Sequence, residues 1–157
     1  MGFKISRSQM LSDVISEFPL AELPISEFEQ YKQECINLSD IPAPAPAIHV
    51  QLEYPAHLET IGRDKLMERP VEARSEELHH VHVWQEGGCW EDEDGLLVQW
   101  ASTSDSYVVY SYFRDRDDDH HFYVIDYCRD DAHKLIEDKS QVAQWTQQAR
   151  AFRMLNI

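Results

Sequence analysis

The chain is short of positive charge. Its 157 residues hold 14 lysines and arginines against 29 aspartates and glutamates, a formal net charge of −15. Between Glu86 and Asp131 thirteen acids face three arginines, so the excess is concentrated in one half. Proteins that grip nucleic acid by neutralising phosphate have the opposite balance. Any RNA-directed role must therefore rest on a local cationic site inside an acidic shell, where screening beyond ~8–10 Å limits the repulsion. The alternative function for such a surface is to imitate nucleic acid towards a basic protein.

Other absences narrow the field further. The three cysteines, Cys35, Cys89 and Cys128, show no CxxC spacing, which excludes a disulfide framework or a zinc ribbon and fits reduced thiols in a cytoplasmic protein. No apolar run approaches the ~20 residues of a membrane span. MGFKIS at the start is a poor myristoylation match, and no phosphate-binding glycine loop occurs, so the sequence supports no nucleotide cofactor. The acidic runs 91–94 and 117–119 lack the alternating spacing and distal Glu of a calcium loop.

What is present points to an α+β domain. Met10, Leu11, Val14, Ile15 and Phe18 share one helical face, stopped by Pro19. A second helix is expected from Ser26, with Glu29 completing a capping box and Phe28, Tyr31 and Cys35 facing inward. DIPAPAPA (40–47) predicts an extended, polyproline-like strip, and Ile48–Tyr54 a short strand or extended edge. Strands are predicted at His79–Trp84, Leu96–Ser102, Tyr107–Arg114 and His121–Cys128, whose short connectors favour an antiparallel meander of about four strands. Residues 133–153 then carry Leu135, Val142, Trp145, Ala149 and Phe152 at helical spacing, capped by Asp130 or Asp131, so one C-terminal helix packs on the sheet. The chain reads as a single domain, 1–157: a helical part (9–36), a Pro/Ala-rich insertion (37–57), and a sheet with its helix (58–157).

Several segments, in order, resemble the YafO family of toxins. They are Gly62-Arg63-Asp64, read as a turn, the His-Val-His of 80–82, TSDSYVVY (103–110), and Ala132–Arg153 with its AHKL opening and AFRM ending. FEQYKQE (28–34) is a weaker echo. The resemblance implies the toxin of a type II toxin–antitoxin pair, a ribosome-associated endoribonuclease that cleaves mRNA and inhibits translation. It also implies a RelE-like fold, and a cognate antitoxin, the ribosome and mRNA as partners.

A metal-independent RNase needs groups to move protons and cations to hold the phosphate. His80 and His82 stand two apart on a strand and so share a face. They are the expected acid/base pair if that face is the one the last helix leaves open. His133, at the start of that helix, can approach from the side. Arg63, Asp64 and Lys65, with Arg150 and Arg153, are the expected substrate-binding groups. An H-x-H pair with further histidines nearby is also a transition-metal pattern. A structural zinc site wants four well-spaced Cys or His ligands, however, and the cysteines offer no such pattern, so no metal and no cofactor are expected. The strand aromatics, Tyr107, Tyr110, Tyr112, Tyr123 and Tyr127 with Trp84 and Trp100, should divide between core and surface.

Overall fold

A computed structural model describes residues 2–37 and 44–157. The first part of the Pro-Ala strip, 40–43, lies outside the described residues. Element order is β1 (Phe3–Arg7), α1 (Gln9–Glu17), a 3-10 turn (Pro19–Ala21), α2 (Glu22–Asn37), α3 (Ile48–Glu53), β2 (Ile61–Leu66), α4 (Val71–Ser75), β3 (Leu78–Val83), β4 (Tyr107–Arg114), β5 (His120–Cys128), α5 (Ala132–Glu137) and α6 (Lys139–Asn156). The strands form one sheet in the order β1-β5-β4-β3-β2. Its four later strands pair antiparallel, while β1 adds parallel to β5, with Phe3 opposite His120 and Arg7 opposite Val124.

The class is therefore α+β as expected, but the sheet is mixed and has five strands. β1 was not anticipated, because FKISR is short and every residue in it is half-buried, with no clean alternation. β2 occupies the segment read as a turn. Its polar centre hides the strand pattern because Asp64 is buried against partners supplied from α2 and β4. Two expected strands do not form. Residues 48–53 are helical, held by Gln51, whose amide nitrogen donates to the carbonyls of Pro46 (2.8 Å) and Asp64 (2.9 Å) and whose oxygen accepts from the Asp64 N–H (3.0 Å). Residues 96–102 run as a loop whose Gln99 and Trp100 N–H groups bond back to Tyr54 and Gln51 at 2.9 Å each.

Helix boundaries also move. Ser8 caps α1, its hydroxyl accepting from the Leu11 N–H at 3.0 Å. α2 begins at Glu22, four residues before Ser26, whose hydroxyl bonds to Glu22 rather than capping. The expected single C-terminal helix is two, because Asp138 leaves helical conformation and accepts from Ser140 and Gln141 N–H at 3.0 and 3.3 Å. A carboxylate that can bond nearby N–H groups favours a cap over a helix interior.

The sheet is covered on both sides. Leu11 of α1 and Ile25, Phe28, Tyr31 and Cys35 of α2 pack on Val81, Val108, Tyr110, Phe122 and Val124. On the other face Ala73, Ala132, Val142, Trp145 and Ala149 pack on Leu78, Tyr107, Val109, Tyr123 and Ile125. Trp145 is fully buried and donates its indole N–H to Asp126 at 2.9 Å, which fixes α6 on the strands.

Candidate active site at the β2–β3 edge

β3 alternates cleanly. Val81 and Val83 enter the α2 side with His79, so His80 and His82 enter the side covered by α4–α6. The expectation of an open face is thus corrected: His80 is 7% exposed and His82 5%. Their rings lie 5.7 Å apart with Tyr107 against both, at 4.9 and 4.4 Å. Burial pushes His80 down to about 3, helped by repulsion from His82. Burial likewise lowers His82 to about 4 against a contact with the Ser104 backbone, with Arg63 depressing it further. Both rings are neutral at pH 7. His82 Nδ1 lies 2.8 Å from the Ser104 N–H and 2.9 Å from the Ser104 carbonyl oxygen, so the Ser104 backbone holds this ring nitrogen in either tautomer. His80 Nδ1 is buried without a hydrogen-bond partner.

The cations beside these rings come from a bulge. Ile61 pairs with Val83 and Asp64 with Val81, so Gly62 and Arg63 together oppose His82. Gly62 is dictated by space, since a Cβ there would lie 2.1 Å from the Ser102 carbonyl oxygen. That close approach lets the Arg63 N–H donate to Ser102 O at 2.9 Å. The Arg63 side chain turns onto the Trp100 ring, 4.5 Å from its centroid, and donates from Nε to Trp100 O at 2.7 Å. Lys65 pairs in register with His80. His133 sits at the α5 start, its backbone N–H held by Asp105 at 2.8 Å and its 66% exposed ring 3.2 Å from Glu137.

The structure brings together Arg63, Lys65, His80, His82 and His133. Asp64 belongs elsewhere: it projects to the opposite face, fully buried, and accepts from Tyr110 (2.6 Å), Tyr31 (2.8 Å) and Lys32 (2.5 Å). The charges that act most on the two imidazoles include Arg63, Lys65 and His133 but neither arginine of α6. Arg153 is engaged by Glu76 at 2.8 Å, and Arg150 is exposed on α6. Of the strand aromatics, Tyr107, Tyr110 and Tyr123 are buried, Tyr112, Tyr127 and Trp100 half-buried, and Trp84 is 45% exposed.

Sequence reasoning missed Lys32, and it placed Trp100 among the strand aromatics without its contact to Arg63. The signal for Lys32 was present: Phe28, Lys32 and Cys35 fall on one helical stripe, so a lysine stands where an apolar residue is expected. It is fully buried, with Nζ 2.7 Å from the Tyr110 hydroxyl and 4.4 Å from that ring's centroid.

These features define a small α+β protein with clustered imidazoles and cations at one edge of its sheet. Residues 29–154 match the family described as Toxin YafO, type II toxin-antitoxin system. That span covers most of the chain, and the chain belongs to the YafO toxin family. It is thus a toxin of the type II toxin–antitoxin class, for which a cognate antitoxin is the partner. No curated protein and no solved structure matches it. Among the described residues no helix is long and apolar enough to cross a membrane.

Proposed function

We propose that this toxin inhibits translation by cleaving mRNA at the ribosome, without a metal, at the β2–β3 edge. The observation that carries the reading is the convergence of Arg63, Lys65, His80, His82 and His133 from three separate segments within an otherwise acidic chain. Arg63, held rigid by Trp100, is suited to a phosphate whose charge grows during cleavage. His82, neutral and held through Nδ1 by the Ser104 backbone, and His80, with an unpartnered Nδ1, offer imidazoles for proton transfer. His133 is the exposed imidazole beside them and is assigned to the leaving oxygen. Bases depressed to about 3 and about 4 are weak. Bound phosphates would raise them towards neutrality by adding negative charge, so the free toxin is idle and the ribosomal complex active.

Expression of the wild type should arrest growth. A variant combining His82→Gln and Arg63→Ala should relieve the arrest while remaining folded; undiminished arrest would remove both residues from the machinery.

A second reading is favoured by the burial of His80 and His82 and by the net charge of −15. In it the acidic chain acts as a catalytically inactive inhibitor and binds a basic nucleic-acid-binding protein by offering carboxylates in place of phosphates. Capture from lysate separates the readings: ribosomes favour cleavage, whereas one basic enzyme released by salt favours the inhibitor.

A further inference from the structure

At the opposite edge of the sheet from Arg63, Ser6 of β1, His121 of β5 and Asp115 of the β4–β5 turn stand in a line. Ser6 Oγ is 2.9 Å from His121 Nε2, and His121 Nδ1 is 3.1 Å from Asp115 Oδ2. The parallel register explains the juxtaposition. Lys4 lies opposite His121 and Ser6 opposite Tyr123, so these side chains share the face that α6 covers. The imidazole is held between Phe113, stacked at 4.9 Å, and the edge of Phe152 at 5.1 Å.

The proton positions follow from the partners. Lys4 donates to Asp115 at 2.7 Å and holds that carboxyl well below the usual carboxylate range. The other Asp115 oxygen accepts from the Asp117 and Asp119 N–H groups at 2.9 and 3.1 Å, so the carboxylate is ionised and fixed in orientation. An ionised carboxylate only accepts, so the His121 proton sits on Nδ1. Nε2 then turns its lone pair to the Ser6 hydroxyl. Burial lowers His121 from its ordinary value against the pull of Asp115, leaving the ring a neutral base at pH 7. The nucleophile is also reachable, because Ser6 is only half-buried and β1 is the outermost strand.

We propose that Ser6, His121 and Asp115 form a nucleophilic site that takes the acyl group of small esters, with Ser6 attacking, His121 as the base and Asp115 orienting it. Ser6 Oγ bonds to the ester carbonyl carbon as its proton passes to His121 Nε2. The bond from that carbon to the leaving alcohol breaks, and the alcohol oxygen takes the proton from His121. Water repeats the sequence on acyl-Ser6, releasing a carboxylic acid and free Ser6. This site shares no residue with the RNA-directed site proposed above and does not depend on it.

The test is to expose the folded full chain to a fluorophosphonate probe and locate the adduct by peptide mass. One adduct on Ser6 is expected, absent from Ser6→Ala and from heat-denatured protein. Removing the base with His121→Gln should slow labelling by about 10²-fold or more. Because His121→Gln can disturb folding, hydrolysis of p-nitrophenyl acetate by the wild type and by Ser6→Ala is read in parallel. The Ser6→Ala change deletes only a half-buried hydroxyl and should abolish turnover above background. A folded wild type left unlabelled, labelling at another residue, or equal turnover in Ser6→Ala overturns the proposal.

Discussion

Replacing Lys32 with methionine is the sharpest test of how the α2 face is held together. The substitution keeps most of the side-chain volume and removes the one ammonium that neutralises Asp64. Lys32 and Asp64 are both fully buried and 2.5 Å apart. Burial pushes the Asp64 carboxyl up, but Lys32, aided by His79 and the Tyr110 hydroxyl, pulls it below its ordinary 3.8. The ionised pair therefore contributes stability at neutral pH that is lost only as the pH falls through that depressed value. Removing one partner of a buried pair leaves an uncompensated charge and costs about 3–5 kcal/mol. With Lys32 gone, burial becomes the leading influence and Asp64 rises above its unfolded value. The deficit of Lys32→Met is then greatest at pH 7 and shrinks towards pH 4. Urea unfolding followed by tryptophan fluorescence at both pH values measures it. The double variant Lys32→Met/Asp64→Asn should recover part of the loss, with a coupling of about 2 kcal/mol or more. A single-variant deficit below ~1 kcal/mol at pH 7, or one that does not change with pH, refutes the reasoning.

Two further outcomes are expected. Gly62→Ala forces a Cβ against the Ser102 carbonyl, so urea unfolding should show a loss of about 1–3 kcal/mol, and the shift of the bulge should displace Arg63 from Trp100. Folding lowers His80 and His82 from 6.5 to about 3 and about 4, so between roughly pH 6.5 and 4 the unfolded chain binds more protons and stability falls as the pH falls. Substituting either histidine by glutamine should flatten that slope in a pH series of thermal melts.

The central strands β3–β5 and the apolar stripe of the last helices were legible in the sequence because β-branched and aromatic residues cluster there at the right periods. β2 was hidden because its buried Asp64 is satisfied by partners from α2 and β4, a tertiary fact without a local trace. The break at Asp138 follows from a capping chemistry that the helical stripe passes over. At the candidate site, the shared face of His80 and His82 was readable from their spacing. Which face it is was not, since that depends on where α2 and α6 dock. Arg63 appeared as part of a turn, whereas a bulge and a close backbone approach at Gly62 aim it. Asp64, adjacent in sequence, points the other way, as strand alternation requires.

The most direct measurement of the central claim is primer extension on a translated mRNA incubated with the purified toxin, with and without ribosomes. Cleavage within the message only when ribosomes are present, and lost in the folded Arg63→Ala variant, is the predicted result. Intact message under both conditions, with the toxin folded and ribosomes translating, contradicts it.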